Sequence, residues 1–180
     1  MRLYDQVWQI PGYCADGRDR AREVLQPLTD ACLTRGWTVL DVGCGRGHVV
    51  HHLHAHGIRA LGIDPALPEP GAHLLRGDLR SLVRFACADV VTCFDVLEHL
   101  QLEQAEHLLG AMRAISPRIC LAIANMEDPH EVPGLGRVEL HVTRLDPHIW
   151  LDIIAAAGFD HLRLQVLPYP ERFFVWGGSW

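Results

Sequence analysis

The chain has 180 residues, 49% hydrophobic and 21% charged, with 16 Lys+Arg against 22 Asp+Glu for a formal net charge of −6. A chain of this length buries roughly 70% of the surface its unfolded form exposes, which predicts one domain and excludes a disordered tail or a fibre. The acidic balance offers no broad footprint for duplex nucleic acid, although Arg18, Arg20 and Arg22 cluster, and no run approaches the ~18 apolar residues of a membrane span.

In chain order, Arg18 to Arg35 carries a helical apolar stripe that Pro27 should kink or split. Residues 37–42 read as a buried strand, His48–His56 as a helix, and Arg59–Ile63 as a second strand ending at Asp64. A third strand is expected at 72–75 and a fourth over "ADVVTCFD" (88–95), entered from a short helix around Ser81–Ala86. Gln101–Ala114 places Ala105, Leu108, Leu109 and Met112 on one helical face, and "RICLAIAN" (118–125) is a fifth strand. The stretch from Met126 to about Thr143 is the longest irregular one, a candidate functional loop by length alone.

Asp146, Pro147 and Gly158 then punctuate a helix at its cap, its first turn and the left-handed position past its end. "HLRLQVLP" and "RFFVWG" close the chain as two strands whose "YPE" turn is short enough only for antiparallel neighbours. The pattern predicts an α/β fold with a doubly wound, mostly parallel seven-stranded sheet ending in an antiparallel hairpin. The six cysteines (Cys14, Cys32, Cys44, Cys87, Cys93, Cys120) form no CxxC pair and follow no signal peptide, so free thiols in a reducing cytoplasm are expected.

The ligand of such a sheet sits at the carboxyl ends of its strands. The first of these ends in "VLDVGCGRGHVV", with Asp41 two residues before Gly43, Gly45 and Gly47. That spacing departs from the G-x-G-x-x-G of dinucleotide sites and lacks the Lys-Ser/Thr of a P-loop. It resembles the D-x-G-x-G-x-G motif of class I, Rossmann-like S-adenosylmethionine-dependent methyltransferases. The likeness continues in register through "GID" (62–64), "GDL" (77–79) and "FDVLEHL" (94–100).

The resemblance implies S-adenosylmethionine as cofactor, with Asp41, Gly43, Cys44, Gly45 and Gly47 forming its turn. Asp64, beside Pro65, would hold the ribose hydroxyls. Asp78, with Leu79, would meet the adenine, and Phe94 and Asp95 would lie near the methionine end. It also implies a division into a leader, residues 1–36, and a cofactor-binding domain, residues 37–180. Such leaders often fold over the cofactor, and Tyr4, Trp8 and Tyr13 suit either a lid or a packed terminal helix.

Methyl transfer needs alignment and a deprotonated nucleophile, so the candidates for catalysis follow the fourth and fifth strands. On one helical turn Asp95, Glu98 and His99 fall at i, i+3 and i+4, a spacing that lets them converge. Glu98, His99 and His141 are the expected catalytic set. A similar acid-x-x-Glu-His turn binds a divalent ion in small-RNA terminal 2′-O-methyltransferases and ubiquinone-pathway O-methyltransferases. In the RNA enzymes a later His precedes a "TR" and a helix, as in "ELHVTRLDPHIW" (139–150). A metal on Asp95, Glu98, His99 and His141 is thus an alternative, although the first acid is Asp rather than Glu and the RNA enzymes' other loop residues are not evident. Such a set would suit Mn²⁺, Fe²⁺ or Zn²⁺. His48, His52 and His56 line one helical face and are read as exposed surface residues.

The sequence therefore predicts a cytoplasmic methyltransferase acting on a small molecule or biosynthetic intermediate, oxygen slightly favoured. A metal-assisted enzyme for an RNA or saccharide terminus is one alternative. A cofactor-binding regulator or partner subunit is the other.

Overall fold

A computed structural model describes residues 3–10, 13, 22–67, 70–78, 87–166 and 172–180, with 22–24 described as backbone only. The helix expected around Ser81–Ala86, the "YPE" turn, Leu79, Cys14, Arg18 and Arg20 lie outside the described residues.

A short helix α1 (Leu3–Val7) and a longer α2 (Arg22–Arg35) precede the first strand, β1 (Val39–Val42). Then follow α3 (His48–Ala55), β2 (Ala60–Asp64), β3 (Leu74–Arg76), β4 (Val90–Phe94), a 3-10 turn over Leu97–His99, α4 (Leu102–Ile115) and β5 (Ile119–Ala124). A hairpin of β6 (Pro129–Val132) and β7 (Gly136–Glu139), the helix α5 (Pro147–Ala156), β8 (Arg163–Val166) and β9 (Arg172–Gly177) complete the fold. The seven-stranded sheet has the order β3-β2-β1-β4-β5-β9-β8; β6 and β7 form a separate two-stranded sheet.

Strands β1 to β5 run parallel, and β9 enters antiparallel to both β5 and β8. The doubly wound layering follows from alternation along β1. Leu40 and Val42 join the core that packs Leu109 and Met112 of α4 with Trp150 and Ile154 of α5. Val39 joins the opposite core with Leu28 of α2 and Val50 and Leu53 of α3. Chain order reverses between β1 and β4, which opens a crevice at their carboxyl ends.

The α5 punctuation holds: the Asp146 carboxylate accepts from the His148 amide at 2.8 Å, Pro147 opens the helix, and Gly158 has φ 96°. Three expectations need correction. Pro27 does not split its helix, which runs as a single element over Arg22–Arg35, since a missing N–H removes only one bond of the ladder. The third strand is displaced to Leu74–Arg76 by a tight turn in which Gly71 and Leu74 exchange backbone hydrogen bonds. The long "irregular" stretch contains the β6–β7 hairpin, closed by a Leu135 amide bond to the Val132 carbonyl with Gly134 and Gly136 at positive φ. No helix among the described residues is long and apolar enough to cross a membrane.

Candidate functional site

The glycine turn leaves β1 with Gly43, Gly45 and Gly47 at φ 75°, 52° and 77°, a region L-residues rarely adopt. Space is as restrictive as backbone. A Cβ on Gly43 would run into Val96, and one on Gly45 would sit 2.9 Å from the Trp8 ring. The amides of Gly43 and Cys44 donate to the Ile63 carbonyl, tying the turn to β2. At the end of β2, Asp64 accepts from the Gly45 amide on Oδ2 (3.0 Å) and from the Ala66 amide on Oδ1 (2.7 Å). Burial raises its pKa, opposed by those two N–H bonds and by Arg76. Asp41 is 2% exposed, accepts from the Thr92 hydroxyl at 2.7 Å, and is pushed up to about 7 by burial.

These groups border a cavity of about 260 Å³. It runs from the glycine turn and Asp64–Ala66, past Phe94–Val96, to His99, Leu100, Ala122, Arg172 and Phe174. Its roof is Tyr4, Trp8 and Tyr13. Trp8 meets Tyr13 edge to face at 5.7 Å and receives the Arg46 guanidinium at 5.4 Å; Tyr13 in turn meets His130 of β6. Val7 packs with Val132 and Leu140, so the leader and the hairpin share one small apolar core. The Tyr4 hydroxyl and the Trp8 indole N–H are buried with no hydrogen-bond partner among the described residues.

Of the residues expected from sequence, Asp41, Gly43, Cys44, Gly45, Asp64, Pro65, Phe94, Asp95 and His99 all line the cavity. Gly47, which caps α3, and Asp78, half-buried after β3, are not among the lining residues. Nor are Glu98 and His141.

Of Asp95, Glu98 and His99, expected to converge on one helical turn, Glu98 and His99 come together while Asp95 stands apart, and the turn is not α-helical. Asp95 takes a left-handed backbone (φ 54°) and Leu97–His99 winds as a 3-10 turn, so only Glu98 and His99 of the three share one cluster of ligand atoms. Asp95 Oδ1 lies 2.9 Å from Arg172 Nε. Glu98 turns inward, fully buried, and its Oε1 accepts from the Ala124 amide at 2.9 Å. Burial and the neighbouring Asp95 raise its pKa well above the carboxylate range, which favours the protonated form.

His99 donates from Nδ1 to the Leu140 carbonyl at 3.0 Å, and His141 from Nδ1 to the Met126 carbonyl at 2.7 Å. A carbonyl only accepts, so Nδ1 carries a proton in both rings, and His141 Nε2 lies 3.7 Å from Asp128 Oδ2. Burial and His141 lower the His99 pKa to about 4. Glu98, His99 and His141 have ligand atoms within 4.8 Å of one another, and Glu98 Oε2 is buried without a hydrogen-bond partner among the described residues. Asp95 stands outside this cluster.

The α3 histidines also need correction. His56 is exposed, but His52 is half-buried with Nε2 3.2 Å from the Thr29 hydroxyl of α2, and His48 is half-buried and lines the cavity. Helix α2 covers that side of α3, which a single-helix periodicity does not reveal. Cys32, Cys44, Cys93 and Cys120 are buried free thiols and Cys87 an exposed one. Sequence reasoning missed Arg172 and Phe174, both on a strand read only as sheet closure. The signal was a lone arginine heading an apolar run.

Residues 9–130 match the family model described as a methyltransferase domain. No curated protein matches the sequence. Among solved structures the chain is similar to a protein from Pyrococcus horikoshii, with TM-score 0.68 and 16% identity over 91% of each chain. It is similar to an S-adenosylmethionine-dependent methyltransferase from Clostridium acetobutylicum, with TM-score 0.66 and 12% identity over 94% of this chain and 98% of that one. A third is a magnesium protoporphyrin IX methyltransferase from Synechocystis with bound S-adenosylmethionine, with TM-score 0.59 and 17% identity over 86% of this chain and 77% of that one. At such identities the likeness is one of fold.

Proposed function

The chain belongs to the class I S-adenosylmethionine-dependent methyltransferases, and from that premise we propose that its cavity serves methyl transfer to a small-molecule acceptor, oxygen being the favoured atom. The observation that carries this reading is the Gly45–Asp64 hydrogen bond at the foot of a roofed cavity.

The residues present fit the cofactor. S-adenosylmethionine has no phosphate; it has ribose hydroxyls, an amino-acid end and a sulfonium that supplies an electrophilic methyl group when bound. The cavity answers with carboxylates, Asp41 and Asp64, and with glycines whose backbone no Cβ covers. Each Asp64 oxygen takes one backbone N–H and keeps a second lone pair, so the carboxylate is held in place while still able to accept from vicinal hydroxyls. Gly43 and Gly45 would take the amino-acid end against bare backbone, and Trp8 would close over it and exclude water.

On the acceptor side, His99 is the proton acceptor in this reading. Its Nδ1 is committed to Leu140, it is neutral above its pKa of about 4, and it lines the cavity. An imidazole of so low a pKa is a weak base, so alignment between the roof and Phe94 carries the larger share of the rate. Calorimetry tests the reading: the demethylated cofactor, S-adenosylhomocysteine, should bind and NAD should not. Binding of NAD in its place would overturn it.

A second reading has specific support in the buried cluster. Two imidazoles whose Nδ1 hydrogens are tied to carbonyls, beside a Glu98 oxygen with no hydrogen-bond partner among the described residues, form a donor set suited to Mn²⁺, Fe²⁺ or Zn²⁺. Glu98, His99 and His141 would hold the ion, which would supply Lewis-acid chemistry, and the acceptor would then be a hydroxyl at an RNA or saccharide terminus. Retained turnover after exhaustive chelation would exclude it.

A further inference from the structure

Arg172 opens β9 in register with Ala124, the last residue of β5. In the sheet β9 stands three strands from β1, roughly 14 Å at ordinary strand spacing. The arginine backbone therefore enters from the far side of the sheet, and its guanidinium reaches across to Asp95 after β4. Its residue is 8% exposed and lines the cavity.

Only part of this guanidinium is matched. Nε lies 2.9 Å from Asp95 Oδ1 as an ion pair whose geometry makes no hydrogen bond, and among the described residues no acceptor takes a hydrogen bond from this guanidinium. Phe94, Leu100, Ala122 and Phe174 add apolar wall to the same cavity. A buried cation with unmet N–H donors is costly, and the planar fork is met best by two oxygens of one carboxylate.

We propose that Arg172 anchors an anionic group of the acceptor, and that the acceptor is a small monocarboxylate with an apolar body packed between Phe94 and Phe174. This rests on reading the cavity as a methyl-transfer site. A monoanion is favoured over a phosphate dianion because Asp41, Asp64 and Asp95 border the same space. The cofactor's own carboxylate is the rival source, and it belongs at the glycine turn on the other side of the sheet's switch point.

The test uses the full chain saturated with S-adenosylhomocysteine. Calorimetric titrations compare monocarboxylates, para-hydroxybenzoate and octanoate among them, with their methyl esters and with phenyl phosphate. At least one acid should bind about 10- to 100-fold tighter than its ester, the worth of a charge-assisted pair. Arg172→Met should erase that preference and Arg172→Lys should keep part of it, both with unchanged affinity for S-adenosylhomocysteine. Equal affinity for acids and esters, no binding of any acid, or tighter binding of phenyl phosphate would each overturn the proposal on the wild-type protein alone. So would an Arg172→Met loss of affinity for S-adenosylhomocysteine that methylthioadenosine, which lacks the amino-acid end, does not share. Failure of the wild-type protein to bind S-adenosylhomocysteine would instead overturn the cofactor reading beneath it.

Discussion

The Gly45 amide donates to Asp64 Oδ2 at 3.0 Å, joining the turn after β1 to the last residue of β2. One carboxylate thus shapes the glycine turn and faces the cavity it borders. Asp64→Ala should weaken S-adenosylhomocysteine binding by on the order of 1.5–3 kcal/mol, because charge-assisted bonds are lost on both counts. Calorimetry reads the loss, and Asp64→Asn should recover only part of it.

Gly45→Ala should be more damaging than its single methyl suggests. The added Cβ meets Trp8 at 2.9 Å, and φ 52° strains any L-residue. Pairing it with Trp8→Ala separates the two causes in a double-mutant cycle. The clash is relieved and part of the lost binding returns, while the backbone strain, about 1 kcal/mol, remains. A cycle with no coupling would show that Trp8 does not close over the turn.

Asp41 gives a pH signature. Its pKa is raised by burial to about 7, against about 3.9 in an unfolded chain, so between these values the folded state holds the extra proton. Its contribution to stability is therefore lost as pH rises from about 4 to 7. Asp41→Asn keeps an acceptor for Thr92 and has nothing to ionise. In denaturant titrations without ligand, the wild type should fall relative to the variant by on the order of 1–4 kcal/mol across that window. Parallel stability profiles would contradict the raised pKa.

His99→Asn should leave S-adenosylhomocysteine affinity nearly intact while lowering kcat, since a general base contributes typically ~10²–10⁴-fold. If the neutral imidazole is the base, kcat stays level from pH 8 down to 5 and falls only towards pH 4, the pKa imposed by burial. Chelators then change nothing. If chelation abolishes turnover and Mn²⁺ restores it, His99 is a ligand beside Glu98 and His141, and His141→Ala should weaken Mn²⁺ binding measured by electron paramagnetic resonance.

Local signals made most of this architecture readable. The α5 helix is announced by Asp146, Pro147 and Gly158, and the parallel strands by short apolar runs that the sheet buries on both faces. The glycine motif marked one wall of the cavity. The β6–β7 hairpin was hidden because "PHEV" and "GRVE" are short, largely polar and half-exposed, with only the glycines at 134 and 136 to mark the turn. The orientation of Glu98 was not readable at all. It depends on a left-handed Asp95 and a 3-10 turn, both held by the Ala122 and Val96 carbonyls. Arg172 lay on a strand recognised correctly, but which strand it would pair with is set by topology rather than by its neighbours in sequence.

The joint core of Val7, Val132 and Leu140 bears on how the protein is assembled. Contacts between residues so far apart in the chain bear a large loop-closure entropy and form late. The sheet can be complete while the roof is still open, and fraying of the leader needs no disruption of the strands beneath it. Amide exchange should then show two classes of opening, a shallow one at residues 3–10 and a deep one in β1, β4 and β5. Opening of the shallow class would uncover the cavity, because Tyr4 and Trp8 line it.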